Sequence, residues 1–253
     1  MFTSIPLHAF AWSLLEVFKM NQRHVWDSVA ESWERFRKKP MKEVIEFLKG
    51  FDDNVLDLGC GNGRNFVKMN NRAVNGAASF SNAKNTDPSN GVSHPKINKT
   101  VFGIDFSEKL LRYAKSNAEK QKIRACLIKA DISELPLKDN SFNIVVFTSA
   151  LHCLKKSDRK KCLEELKRVL KNKGRALITV WNRMQPRFFF GKKERYIPWK
   201  IGNKTFMRYY YLFSKRELRK VLEEHGFRII KISGSKNKVF KLFPKNIIAV
   251  IEK

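Results

Sequence analysis

The sequence predicts an α/β protein built on one open, mostly parallel sheet. Three observations carry this. Short apolar runs alternate with stretches of helical period along most of the chain. The run VLDL, Val55 to Leu58, turns directly into a glycine-rich segment, GCGNGRNF. Two further apolar runs end at acids, TVFGID at Asp105 and RACLIKA just before Asp131. Alternation of this kind places successive strands side by side through right-handed helical crossovers.

The elements follow in order. Val25, Trp26, Val29, Trp33 and Phe36 recur at helical spacing and predict a helix over 24–36. Pro40 starts a second helix with Val44, Ile45 and Leu48 inward and Gly50 as its stop. Val55–Leu58 is the first strand, and Asn62–Met69 is expected to be the helix after it. Asn70–Lys99 is rich in Asn, Ser, Ala and Gly, lacks a hydrophobic period, and reads as a poorly ordered insertion at 70–99. TVFGID is the second strand, and Ser107 caps a helix running to about Ala118. Ala125–Ala130 and Phe142–Thr148 are the third and fourth strands. A helix from Ser157 turns Cys162, Leu163, Leu166, Val169 and Leu170 inward, and Asn172-Lys173-Gly174 ends it. Arg175–Trp181 is the fifth strand. Arg183–Lys204 is basic and aromatic without a clean period, and Thr205–Phe213 is extended. Ser214–His225 is a helix closed by Gly226, and Phe227–Ser233 pairs with Asn246–Ile251.

Composition narrows the function. The 253 residues carry 51 basic and 24 acidic side chains, a formal charge of +27. An excess this large, spread along the chain, points to a polyanion partner, with nucleic acid the favoured one. Cys60, Cys126, Cys153 and Cys162 form no CxxC pair, and no histidine spacing completes a zinc site, so no metal is expected. They read as reduced, mostly buried thiols of a cytoplasmic protein. No apolar run reaches the ~20 residues that span a membrane. The extension at 1–21 holds IPLHAFAWSLLEVF, which lacks the flanks of a signal peptide and reads as an amphipathic helix. Met20 opens a more ordinary segment and is an alternative start to Met1.

The glycine turn distinguishes among nucleotide sites. A dinucleotide fingerprint wants a third glycine where this chain has Arg64, and no GK[ST] follows for a phosphate loop. The DxGxGxG pattern of Asp57, Gly59, Gly61 and Gly63 resembles motif I of the class I S-adenosylmethionine (SAM)-dependent methyltransferases. That resemblance implies a Rossmann-like class I methyltransferase fold: seven strands, mostly parallel with an antiparallel last strand, and helices on both faces. It also implies how SAM is held. The turn at Gly59, Cys60, Gly61, Asn62 and Gly63 brings backbone close to the amino-acid moiety, and Asp57 anchors that zwitterion. Asp105 accepts the ribose hydroxyls, and Phe106 lies against the adenine. Asp131 accepts the adenine amino group, and the Ile132 amide meets the ring. Thr148, at the end of the fourth strand, completes the set. Carboxyl ends of parallel strands are where open sheets bind ligands.

The rest of the chain resembles a narrower family, the tRNA wobble-uridine carboxymethyl methyltransferases, which includes the methyltransferase domain of the AlkB-type tRNA modification enzyme. HVWDSVAESWERFRKKP resembles the family's amino-terminal helix and its Thr-Arg-x-x-Pro segment, with Arg37 at the arginine. SALHCL stands at its Val-His-His, with His152 at the first histidine and Cys153 at the second. Trp181 falls on its strand-five tryptophan, and YIPW on its Phe-Val-Pro-Trp. RYYYLFSKREL resembles Arg-Tyr-Tyr-His-Leu-Tyr followed by a helix, with Tyr211 at the histidine. The similarity covers roughly residues 22–253, the methyltransferase domain, apart from the insertion. It implies esterification of the carboxylate of 5-carboxymethyluridine in tRNA. His152, Arg37, Arg208, Tyr209, Tyr210 and Trp181 are then the acceptor-positioning candidates, and 183–213 is the substrate-side segment. A carboxylate is ionised at neutral pH and needs no base. Family members commonly need a small zinc-binding activator protein, and the apolar third strand near 124–129, at the sheet edge, is its expected dock. Two rivals remain: a methyltransferase of a quinone, lipid or other metabolite, and an RNA-binding or scaffold protein that keeps the fold without the activity.

Overall fold

The computed structural model describes residues 21–49, 51–67, 99–235 and 243–253. The expectations for the 1–20 helix, for Gly50 and for nearly all of the insertion fall outside these residues. Helix α1 is Gln22–Phe36 and α2 is Lys42–Leu48. Strands β1 (Val55–Leu58) and β2 (Val101–Asp105) lead to α3 (Glu108–Lys120), β3 (Ala125–Lys129) and β4 (Phe142–Thr148). Next come α4 (Lys156–Val169), β5 (Leu170–Trp181), β6 (Glu194–Ile201) and β7 (Lys204–Tyr211). The described chain closes with α5 (Lys215–Glu224), β8 (Arg228–Gly234) and β9 (Asn246–Glu252).

Seven strands form one sheet in the order β3-β2-β1-β4-β5-β9-β8. The first five run parallel, and β9 is antiparallel to both β5 and β8. This is the seven-stranded, mostly parallel sheet with an antiparallel last strand that the sequence implies. Both faces are buried, so the central strands read as unbroken apolar runs. Alternate residues go to opposite layers. Val55, Ile144, Val146 and Leu177 meet Val44 and Leu48 of α2. Leu56, Val145, Phe147 and Ile178 meet Leu163 and Leu166 of α4 and Leu218 and Leu222 of α5. On the α2 side, α3 packs Leu111, Ala114 and Ala118 against Val101.

Three expectations change. No helix forms over Asn62–Val67, and the rest of that span lies outside the described residues. Gly63 has φ +70°, a left-handed conformation that breaks the helical path. A side chain there would also meet the Phe66 ring at 2.7 Å. Second, β5 begins at Leu170, directly after α4, with a bulge before Ile144 pairs with Arg175. Lys173 takes φ +63° within that irregular start. Third, the aperiodic basic segment contains β6, which pairs with β7 as a separate two-stranded hairpin. Consecutive Arg208, Tyr209 and Tyr210 of β7 are all buried, so the hairpin shows no strict in–out alternation. The thiols also differ from expectation, since Cys126 on β3 is exposed while Cys60 and Cys162 are buried. Strand β3 does lie at the sheet edge.

Candidate active site

The glycine turn lies at the carboxyl end of β1, where Gly59, Gly61 and Gly63 all have positive φ. A Cβ on Gly59 would come within 2.6 Å of the Ala150 Cβ, so β1 and the segment after β4 approach as closely as glycine allows. Asp105 ties this turn to β2: one carboxylate oxygen accepts from the Gly61 amide at 2.9 Å, the other from the Ser107 amide at 2.9 Å. Ser107 caps α3 and donates its hydroxyl proton to Asp27 of α1 at 2.5 Å. Helix α1 therefore closes one side of the site, and Glu34 accepts a hydrogen bond from Asn62 of the turn.

These loops surround a cavity of about 570 Å³. Of the expected cofactor residues, Gly59, Cys60, Gly61, Asn62, Asp105, Phe106, Asp131, Ile132 and Thr148 line it. Asp57 and Gly63 lie behind it. Asp57 is buried, and neither carboxylate oxygen has a hydrogen-bond partner among the described residues. Burial pushes its pKa up to about 8 against the opposing charge of Arg64. Burial also raises Asp105, to about 6, against hydrogen bonds that stabilise its charged form. Asp131, expected to accept the adenine amino group, already has partners on both oxygens. One oxygen accepts from the Ser133 amide and hydroxyl, and the other meets Arg23 at 2.5 Å. Burial raises its pKa, but those hydrogen bonds outweigh burial and hold it below the usual carboxylate range. The start of α1 thus reaches across the β3 end of the cavity.

Trp26 and Trp33, which the sequence marks only as part of the helical period of α1, both line the cavity. Val25, Val29 and Ala30 are the buried residues of the helix, while the two tryptophans also touch Tyr210 and Trp199 of the hairpin. The signal was the width of the apolar arc: positions 25 and 29 make one stripe, and positions 26 and 33 make a second beside it.

The acceptor candidates come together as one cluster. Tyr209 lines the cavity; His152, Trp181, Tyr210, Arg208 and Arg37 stand in the layer behind Trp26, Trp33 and Cys153. Trp181 and Tyr210 stack at 4.4 Å, nearly parallel, with His152 at 5.6 and 5.4 Å from their rings. Arg208 is 4% exposed and has no carboxylate partner among the described residues. Its Nη1 donates to the Tyr210 hydroxyl at 2.8 Å, it lies 4.5 Å from the Trp199 ring centre, and its Nε has no acceptor. Arg37 lies over Trp33 at 4.9 Å, and its Nε is also without an acceptor. Burial, and then the neighbouring charge of Arg37 among smaller effects, draw the Arg208 pKa down, although an arginine remains charged at any working pH.

Groups that could take a proton are poorly suited to it. Burial drives His152 down to about 3 and the Cys153 thiol up to about 12, and it raises Tyr210 as well. A base of pKa near 3 is weak, and a thiol near 12 is neither base nor nucleophile at neutral pH. The cluster presents positive charge and aromatic walls, and none of these groups is suited to take a proton near neutral pH. Among the described residues no group of His, Cys, Asp and Glu could hold a metal ion, and no helix is long and apolar enough to cross a membrane.

A family model for methyltransferase domains matches residues 51–226. The chain therefore belongs to the class I SAM-dependent methyltransferases, with SAM as the methyl donor. A protein of Encephalitozoon cuniculi assigned as a methyltransferase is 26% identical over 231 residues, covering 87% of this chain and 93% of its own. The tRNA (carboxymethyluridine(34)-5-O)-methyltransferase of Schizosaccharomyces pombe is 23% identical over 252 residues, covering 88% of this chain and 95% of its own. Among solved structures, a Burkholderia thailandensis 1,6-didemethyltoxoflavin-N1-methyltransferase with bound S-adenosylhomocysteine is similar at TM-score 0.63 and 17% identity, over 99% of this chain and 93% of that one.

The residues present fit such a donor. An orphaned, buried carboxylate suits a cationic ligand, and Gly61 lines the cavity with open space where a side chain would stand. A pH dependence follows. Asp57 is mostly protonated at pH 7 when free, because its pKa stands at about 8. A cation binds the ionised form better, so binding expels the proton and affinity rises with pH until about 8. Calorimetry at pH 7 in two buffers of different ionisation enthalpy should show release of roughly 0.9 proton per SAM bound. Equal heats in both buffers would remove Asp57 from the cofactor site.

Proposed function

We propose that the protein transfers the methyl group of SAM to a carboxylate oxygen, and that the carboxylate is the 5-carboxymethyl group of a wobble uridine in tRNA. The observation that carries this is Arg208, a buried guanidinium with no acidic partner, beside residues that make poor bases. The bound donor supplies an electrophilic methyl on a sulfonium. Asp57 holds its amino-acid end, Asp105 its ribose, and Phe106 with Ile132 its adenine. Arg208 and Arg37 neutralise and orient the acceptor carboxylate, a geometry that favours in-line attack. Trp181, Tyr210 and His152 form a dry wall that excludes water, and Tyr209 borders the passage between the two halves. Arg23 must share or release Asp131 before that carboxylate can serve the adenine. The Schizosaccharomyces pombe relative, a tRNA (carboxymethyluridine(34)-5-O)-methyltransferase, supports the acceptor.

A zinc-binding activator docked on β3 belongs to the same reading. That strand is an edge with Cys126 exposed and Leu127 and Ile128 partly so. Polar substitutions at Leu127 and Ile128 should abolish co-purification of such a subunit, and unchanged co-purification would rule out this dock.

The test of the reaction is transfer of labelled methyl from SAM to tRNA lacking wobble esters, with and without an activator, followed by nucleoside mass spectrometry. A labelled 5-methoxycarbonylmethyl nucleoside establishes the acceptor. No transfer in either condition, with SAM binding retained, moves the acceptor to a small metabolite.

A further inference from the structure

The described residues include five large apolar side chains that are exposed, and four of them surround the acceptor cluster. Phe36 ends α1 at 73% exposure, and Phe190 follows β5 at 90%; Phe189 and Met184 accompany Phe190. The two phenylalanines are the ends of one continuous chain of contacts. Phe36 meets Trp199 edge-on at 6.1 Å, and Trp199 carries the Arg208 guanidinium. Arg208 donates to Tyr210, which stacks on Trp181, and Trp181 stacks on Phe188 at 6.0 Å. Phe188 leads along the backbone to Phe189, which meets Phe190 at 5.8 Å.

The surroundings are strongly positive. Residues 183–204 hold seven basic side chains and one acidic one, and Phe36 is followed by Arg37, Lys38 and Lys39. Lys193 pairs with Glu217, but the basic side chains far outnumber the acids beside them. Exposed aromatics set among excess cations suit an unstacked polyanion: phosphates meet the cations, and base faces cover the rings. A protein partner chosen by apolar contact alone would gain nothing from that charge.

We propose that Phe36 and Phe190 are two base-stacking platforms, one on each side of the acceptor site. They hold the nucleotides flanking the target in an open RNA loop while the target base enters between them. This rests on the proposed acceptor, because it treats the Arg208 cluster as the place the target base reaches.

The test is fluorescence anisotropy with the full chain, comparing an RNA hairpin that has a single-stranded loop with a fully paired duplex of equal phosphate count. The hairpin should bind about tenfold more tightly, since stacking needs open bases. Phe36→Ala and Phe190→Ala should each weaken the hairpin about 5- to 100-fold and leave the duplex unchanged. In turnover they should raise the KM for tRNA with kcat kept. Lys38→Ala should weaken both RNAs and lower the salt dependence. Because both rings are exposed, Tm and SAM affinity should not change, so a loss of RNA binding cannot be misfolding. Equal binding of hairpin and duplex by wild type and both variants overturns the platforms, even where methyl transfer to tRNA is intact. Selective loss of hairpin binding in a protein that methylates no tRNA upholds the platforms and overturns the acceptor instead. Binding to anionic vesicles that the two variants lose, with no hairpin preference, overturns the proposal in favour of a lipid surface.

Discussion

Asp57→Asn is expected to make the ligand-free protein more stable and nearly unable to bind SAM. The carboxyl is buried without a hydrogen bond, and burial raises its pKa from 3.8 to about 8. The unfolded chain ionises near 3.8, so between about pH 4 and pH 8 the folded state holds the extra proton. Stability therefore falls as pH rises through that window. At pH 7 the loss amounts to about 4 kcal/mol relative to a side chain that never ionises. A buried amide without partners returns about 1–3 kcal/mol of that. The net gain corresponds to a melting temperature higher by about 5 °C. The same change removes the charge opposite a cationic ligand and should weaken SAM roughly 100-fold or more. Thermal shift with and without SAM reads both effects. A variant that melts lower and still shows the full SAM shift would contradict this account.

Asp57 was legible in the sequence because a motif marks it: an acid two residues before a glycine turn that follows a strand. The sheet was legible for a related reason. Strands buried on both faces leave continuous apolar runs, and Phe142–Thr148 reads the same from either direction of argument. The hairpin was harder. Thr205–Phe213 reads as extended, but its partner β6 carries Pro198 and a mixture of charged and aromatic residues. Its partial cover is not the sheet but α1, where Trp199 donates to Ser32 at 2.7 Å. Such a tertiary contact leaves no period to read. The turn after β1 fails in the opposite way. Its apolar residues, Phe66 and Val67, suit a helix, but three left-handed glycines in five residues override that preference. The contact of Arg23 with Asp131 joins positions 108 apart and was invisible to any local pattern. Tyr209, Tyr210, Arg208, Trp181 and His152 were gathered only by resemblance, and the structure explains why spacing could not do it. They come from β7, from the end of β5 and from the short turn after β4, three places that meet only once the hairpin folds back.

On the proposed reaction, Arg208→Met should cut transfer to the carboxylate by roughly 1,000-fold while leaving the fold and the cofactor site intact. Arg208 is a second buried ionisable group without an opposite partner among the described residues, the counterpart of Asp57 on the proposed acceptor side. Replacing a buried ion by an apolar side chain of similar length is often neutral or stabilising. Trp199 and Tyr210, which now flank the guanidinium, would pack equally well against a thioether. Melting temperature and SAM affinity should therefore stay at or above wild type. Without the cation the acceptor carboxylate enters a dry aromatic pocket uncompensated, and kcat/KM should fall roughly 1,000-fold, about 4 kcal/mol. Arg208→Lys should recover only part of this, because a single ammonium cannot reproduce the paired donors of the guanidinium or its stacking on Trp199. A pH profile separates this from a general-base role. The acceptor and the arginine keep their charges from about pH 5 to 9, so kcat should be flat there once SAM is saturating. A loss of activity with an apparent pKa between 6 and 8 at saturating SAM would instead require a titrating base, which neither His152 at about 3 nor Cys153 at about 12 can provide. The two charges divide the work. In the proposed reaction Asp57 leaves the free protein less stable so that a cation can bind, and Arg208 does the same for an anion. The hairpin and α1 hold Arg208 against Trp199, Trp26 and Trp33, the last two of which line the cavity.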